Sequence, residues 1–322
     1  RDLLRRKLGW GSPEWRVVTS RSEAAEFLQF IGPVAVKPIG LTAGKGVRVM
    51  GVHLRDEAEA LDYSEEWIRK DGKVLLEERL VGEEFSRIVL VSNGRILPMP
   101  VAQDFKYAKD GDLGPMTGGM GAYTYADRKM PFLSKDELLE ADRLLVEVIQ
   151  ALDEETGQPY RGALYGQFMV TPNGIRVIEF NARFGDPEGI NLNALIHPTV
   201  DAPVLYAMVA EGRLPADIGV FQHKASVVKY LVPHAYPESD PNPPLFDLDL
   251  AAIEAAGMSV IYSSVQAEGG RLRSMGSRTL ALVALGEEPG LLSEKMEELL
   301  GRIQPPELTH RNLDEMITVF KA

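Results

Sequence analysis

The sequence contains no cysteine. That excludes disulfides, thiolate zinc sites and a cysteine nucleophile, and it suits a reducing compartment, so a cytoplasmic location is expected. Long apolar runs are missing too. None approaches the roughly 18 residues of a membrane span, and the basic start RDLLRRKLGW leads into no signal-peptide core. No membrane partner is therefore expected. Positive charge is in deficit, with 35 Lys and Arg against 47 Asp and Glu and a formal net charge of -12. This argues against nonspecific nucleic-acid binding but leaves room for a local basic patch that holds phosphate. There is no initial methionine, so a trimmed or processed piece of a longer protein is expected.

What is present describes a globular chain. Apolar content of 45% and charged content of 25% are ordinary, and 322 residues are enough for two or three domains. The fold class expected is α+β. In order, the patterning predicts a short amphipathic helix (Leu3, Leu4, Leu8), a strand at 16–18, a helix capped by Ser22, and a strand at 34–37. A glycine loop at 40–46 and a strand at 47–52 follow. Lys45 lies between Gly44 and Gly46, but the next residue is Gly46 rather than a hydroxyl residue, and a β pattern follows instead of a helix. A P-loop is thereby excluded. A glycine hairpin remains, whose backbone N–H groups and lysine can close over polyphosphate, or which is simply a flexible tip.

A helix is predicted at 56–70 and a strand at 74–76, followed by the acidic stretch Glu77, Glu78, Glu83 and Glu84. This stretch reads either as a solvated edge or as a connector whose backbone meets a base while a carboxylate accepts from ribose hydroxyls. A hairpin around Asn93-Gly94 precedes a polar, glycine-heavy segment, 103–127, read as a long functional loop. Within it Gly118, Gly119 and Gly121 can cradle an anion, and Asp104 and Lys106 add one charge of each sign. A helix at 134–152 with a capping box, strands at 163–170 and 176–183, and a helix at 199–210 follow. The second of these strands carries an unusual polar face, Glu179, Asn181 and Arg183, opposite Ile178, Phe180 and Ala182. Such a face suits a bound ion or phosphate. Gly212-Arg213-Leu214-Pro215 reads as a boundary before a separate α+β module. Domains are thus expected at 1–80, 81–213 and 214–322.

Taken in order, KPIGLTAGKGV, LLEERLVGEEFS, KDGDLGPMTGGMGAY, GALYGQFMVTPNG and VIEFNARFGDPE resemble the ATP-grasp superfamily and, within it, the phosphoribosylamine-glycine ligases, with GQFM closer to the archaeal branch. The resemblance implies two α+β lobes that hold ATP between them, a small C-terminal α+β domain, and a further N-terminal domain not included in this sequence. It implies an ATP-driven ligation of glycine to 5-phosphoribosylamine through glycyl phosphate, a step of purine biosynthesis. Cofactors would be ATP and Mg2+ or Mn2+. Glu179 and Asn181 would hold the metal, with Gln167 as a further candidate. Lys37, Gly44, Lys45 and Gly46 would meet the phosphates, Glu77, Glu78 and Leu80 the adenine, and Glu84 the ribose. Arg183, Lys45, Asp104 and Lys106 would be catalytic. Gly118, Gly119, Gly121, Arg183, Asp186 and Glu188 would bind the acceptor substrates. Ile39, Phe105 and Tyr107 depart from the family pattern. Two other readings stay open: an ATP-grasp ligase with a different acceptor, and a nucleotide-binding fragment that needs a missing domain to act.

Overall fold

The computed structural model describes residues 1–40, 46–215, 219–313 and 317. By contacts the chain divides into Arg1–Glu83 with Met169–Ile178, and Glu84–Phe168 with Glu179–Ala322.

The first unit contains a short helix Leu4–Leu8, then β1 (Trp15–Val18), α1 (Arg21–Ile31), β2 (Val34–Lys37), β3 (Arg48–Val49), α2 (Glu57–Asp71) and β4 (Val74–Glu78). Its sheet runs β1-β4-β2-β3 and is antiparallel throughout. The cap of α1 is Ser20, not Ser22: its hydroxyl accepts from the Glu23 N–H, and Glu23 in turn accepts from the Thr19 N–H. Asp56 caps α2, which Gly72 ends in the left-handed conformation (φ 77°). Val18, Phe27, Val34, Val36, Trp67 and Leu76 form the core. The strand expected at 47–52 shortens to β3, because the Val49 carbonyl takes the N–H groups of Val52, His53 and Leu54 and turns the chain. Gly44 and Lys45 lie outside the described residues.

In the second unit the chain continues with β5 (Glu83–Ser92), β6 (Arg95–Pro98), β7 (Gln103–Lys109), one 3-10 turn Asp110–Asp112, and β8 (Leu113–Thr124). Asn93 and Gly94, both at positive φ (51° and 73°), make the tight turn between β5 and β6. The long loop expected at 103–127 is instead the β7–β8 hairpin. Phe105 and Tyr123 stack on each other and are buried, which ties the two strands together despite their glycines. Those glycines answer to close approaches: a Cβ on Gly121 would lie 2.4 Å from the Val228 carbonyl oxygen.

Next come α3 (Lys135–Thr156) with the Ser134–Glu137 capping box, then β9 (Arg161–Thr171) and β10 (Gly174–Asn181), of which Met169–Ile178 belongs to the first unit, and then α4 (Glu188–Asn193) and α5 (Ala202–Ala210). The strands run β10-β9-β5-β6 in one sheet. Helix α4, which opens at Glu188 after a short turn beyond β10, was not expected. Asp201 caps α5, so the helix expected from 199 begins later.

The remainder holds β11 (Ala225–Pro233), β12 (Leu245–Phe246), α6 (Leu250–Ala255), β13 (Met258–Tyr262), β14 (Val265–Glu268), β15 (Arg271–Ser274), β16 (Leu280–Gly286), α7 (Pro289–Ile303) and β17 (Leu308–Thr309). β13 and β14 are separate strands, broken at residues 263–264. No junction between units falls at 213–214 among the described residues. There β11 pairs with β8 on one side and β16 on the other, so residues beyond 214 complete a sheet begun by β7 and β8.

Candidate active site

Alternation along three strands assembles a polar cluster in the second unit. Glu84 and Ser86 share a face of β5, Asp104 and Lys106 a face of β7, and Tyr165 and Gln167 a face of β9. Reciprocal hydrogen bonds between Ser86 and Ala102 place the start of β7 beside β5. Lys106 Nζ bonds Glu84 Oε2 at 3.0 Å, and Gln167 Nε2 donates to Glu84 Oε2 at 2.7 Å and to Asp104 Oδ1 at 3.3 Å. The Tyr165 hydroxyl lies 2.5 Å from Gln167 Oε1 and 2.8 Å from Glu188 Oε1, to which Ser86 Oγ donates at 3.1 Å. One ammonium thus faces three carboxylates. Burial pushes the Asp104 carboxyl up, Lys106 pulls it down, and Glu188 and Glu84 push it up again, leaving it at about 7. Burial opposes the charge on Lys106, but Asp104 and Glu84 outweigh it and hold the ammonium charged well above its usual range. The Tyr165 hydroxyl is raised by burial and by Glu188.

Gln167, considered above as a metal ligand, is buried with its amide on two carboxylates and its oxygen on Tyr165. It bridges the cluster. Glu188 is 3% exposed and opens α4. A Cβ on Gly185 would lie 2.5 Å from its Oε2, so the glycine lets this carboxylate fold back under the loop.

On β10 the polar face emerges as predicted. Glu179 is exposed, and Asn181 Nδ2 donates to its Oε1 at 2.8 Å. Among the described residues Glu179 has no cationic partner. Beyond the strand Arg183 is exposed and gives one N–H to the Phe184 carbonyl at 2.7 Å, leaving most of its fork for an anion.

The glycine cradle and the Asp186 loop also come together. Gly119 is buried at φ 112°, and a Cβ there would lie 2.5 Å from Pro187 Cδ. Asp186 accepts from the Tyr230 hydroxyl at 2.6 Å and pairs with Arg278 at 2.8 Å. Gly118 is exposed, whereas Gly121 is buried against the Val228 backbone, so its role there is strand packing.

In the first unit Lys37 Nζ lies 2.5 Å from Glu77 Oε2 and 3.5 Å from the Ile178 carbonyl. Glu77, 3% exposed, also takes the Arg1 guanidinium at 2.6 Å. Burial raises its carboxyl, but Lys37 and Arg1 overcome this and hold it below the ordinary range. The acidic stretch is therefore not a solvated edge at Glu77. Glu78 accepts from the Glu14 N–H at 3.2 Å, Leu80 is half-buried, and the Gly46 carbonyl accepts from Tyr63 at 2.8 Å.

Sequence reasoning missed Ser86, Tyr165, Tyr230 and Arg278. The first two were within reach, since each stands two residues from a chosen candidate on the same strand face. Nothing local marked the other two.

A carboxylate and a carboxamide on one open strand face are an oxygen donor set suited to Mg2+, which takes one or two carboxylates and completes its shell with water and phosphate. No cluster of three or more His, Cys, Asp or Glu that could hold a metal occurs among the described residues.

Residues 1–189 match the family described as phosphoribosylglycinamide synthetase, ATP-grasp (A) domain. A phosphoribosylamine–glycine ligase of Methanopyrus kandleri is 39% identical over 307 residues, covering 93% of this chain and 68% of that protein. The Methanoregula boonei ligase is 43% identical over 303 residues (94% and 68%), and that of Pyrococcus abyssi 43% over 257 residues (79% and 56%). The chain thus spans 56% to 68% of the length of these relatives. Among solved structures, a phosphoribosylamine–glycine ligase of Thermotoga maritima superposes with a TM-score of 0.82 at 23% identity, over 97% of this chain and 76% of that one. A biotin carboxylase domain of Hydrogenobacter thermophilus, solved with MgADP, gives 0.67 at 16% identity over 100% and 68%. Both likenesses show the ATP-grasp fold. With the family matched over more than half of its residues, and relatives about 40% identical along most of its length, the chain belongs to the phosphoribosylglycinamide synthetase ATP-grasp (A) domain family.

Proposed function

We propose that this protein ligates glycine to 5-phosphoribosylamine at the expense of ATP, giving glycinamide ribonucleotide, ADP and phosphate. The observation that carries the reading is the Glu179–Asn181 pair, an open oxygen donor set without a cationic side-chain partner among the described residues, on the strand that carries the family motif. In the first step a glycine carboxylate oxygen bonds to the γ-phosphorus, the bond to the β–γ bridging oxygen breaks, and ADP leaves. Glycyl phosphate results. The amine of phosphoribosylamine then bonds to the glycyl carbonyl carbon, the C–O bond to phosphate breaks, and the amine gives up a proton.

No side-chain nucleophile is required, so the protein contributes position and charge. Lys37, Lys45 and the backbone of Gly44 and Gly46 meet the phosphates. Leu80 offers backbone to adenine beside Glu78, Glu77 keeps Lys37 in place, and Glu84 accepts from ribose hydroxyls. Arg183, a planar donor with free N–H groups, takes the charge that grows on the transferred phosphoryl oxygens. Asp104, poised near neutrality, accepts the proton released by the amine, while Lys106 fixes the charge of the cluster. Gly118, Gly119 and Asp186 shape the acceptor side. Glu179 and Asn181 would hold Mg2+, which neutralises phosphate charge when bound.

The test is ADP release by the full-length protein with glycine and phosphoribosylamine omitted in turn. Release that depends on both supports the proposal. Release that ignores either one overturns it.

A further inference from the structure

We infer that Arg278 is a positioning residue for the acceptor side of this reaction, a guanidinium fork that holds the Gly118–Gly119 segment and the Asp186 loop in a single arrangement. The inference rests on the functional reading above. Arg278 stands between β15 and β16, far along the chain from both segments it joins. Its Nη1 donates to the carbonyls of Gly118 at 2.6 Å, Gly119 at 3.2 Å and Asp186 at 2.7 Å. Its Nη2 lies 2.8 Å from Asp186 Oδ2, and the guanidinium stands 5.0 Å from the centre of the Tyr230 ring. Tyr230 completes the arrangement from the other side by donating to Asp186 Oδ1 at 2.6 Å. Both oxygens of Asp186 and the carbonyl of the same residue are therefore held by two side chains that are themselves stacked.

The chemistry fits arginine and no other residue. A planar fork reaches a carboxylate oxygen and three carbonyls at once, while a lysine offers a single point of charge. Gly118 is matched to it: a Cβ there would lie 3.0 Å from both the guanidinium carbon and Nη2, so any other residue would press the fork away by a few tenths of an ångström. The fork also explains why a glycine segment can serve a substrate at all. Glycines alone sample many conformations, and three charge-assisted bonds onto their carbonyls and the adjoining loop select one. At 18% exposure the side chain is reachable by a small solute.

In the full-length protein, ADP release is measured for Arg278→Ala and Arg278→Lys with glycine, phosphoribosylamine and ATP each varied. For Arg278→Ala, kcat/KM for glycine and phosphoribosylamine should fall on the order of 100-fold, as a small misplacement of a reacting group does. The Kd for ATP should stay within about twofold, because uniform nucleotide binding is untouched. Millimolar guanidinium chloride should restore activity, and ammonium chloride at equal ionic strength should not. Should the alanine variant fail to fold, Arg278→Lys decides, with an expected loss of roughly tenfold. Acceptor kcat/KM unchanged in the lysine variant, an equal loss of ATP affinity, or no response of a folded alanine variant to guanidinium overturns the inference. A wild-type enzyme indifferent to glycine or phosphoribosylamine overturns the functional reading instead.

Discussion

The pair Arg87–Asp142 joins β5 to α3, and removing one partner should be far more damaging than removing both. Arg87 Nε and Nη2 bond the two Asp142 oxygens at 2.7 and 2.8 Å, and Nη1 donates to the Met99 carbonyl at 2.6 Å. The side chains are only 9% and 19% exposed. Asp142→Ala therefore leaves a desolvated guanidinium with one carbonyl partner, a situation that costs roughly 3–5 kcal/mol. Arg87→Met with Asp142→Leu replaces the pair by apolar groups of similar size and should return to within about 1–2 kcal/mol of the parent. Urea unfolding at pH 7 measures this. Circular dichroism is the suitable probe, because Trp10, Trp15 and Trp67 all lie in the first unit and would not report on β5. Since Arg87 directly follows Ser86, a member of the polar cluster on the other face of β5, Asp142→Ala should also lower kcat. A cost below about 1 kcal/mol for Asp142→Ala, the range of exposed pairs, or a double variant no better than the single one, would refute the reasoning.

Asp104→Asn should change the pH dependence of stability. A carboxyl raised from 3.8 to about 7 favours folding fully below about pH 4, and that contribution is lost as pH rises through 7. The stability of the wild type relative to the asparagine variant should fall over this window, and parallel curves in urea titrations would contradict it. Glu179→Ala should abolish ADP release while leaving stability within about 0.5 kcal/mol, since the side chain is exposed. An active variant would exclude the metal role. Gly121→Ala should cost at least about 1–3 kcal/mol through its 2.4 Å approach to the Val228 carbonyl. Unfolding at the parental urea midpoint would instead return Gly121 to the acceptor cradle.

Period-two alternation made Glu179 and Asn181 legible, because strand geometry alone decides which side chains share a face. The helix at 134–152 was legible through its capping box, and α1 through a serine at its start, although Ser20 and Ser22 stand two positions apart and only the reciprocal bond of Glu23 decides between them. The β7–β8 hairpin was hidden because its glycines mimic a loop. They are present for long-range reasons, the nearness of Pro187 to Gly119 and of Val228 to Gly121, which no local window contains. Arg278 was hidden for the same reason, since its hydrogen-bonding partners lie more than 90 residues away.

The ladder between β8 and β11 has a practical consequence for anyone cutting this chain. Its register, Gly121 with Lys229 through Thr124 with Ser226, satisfies the backbone of β8 on the side away from β7. A fragment stopped near residue 213 would bare that edge, with Met120 and Tyr123, at most 1% exposed in the intact protein, beside it. Unpaired amides flanked by oily side chains recruit other strands, so such a fragment should self-associate into oligomers.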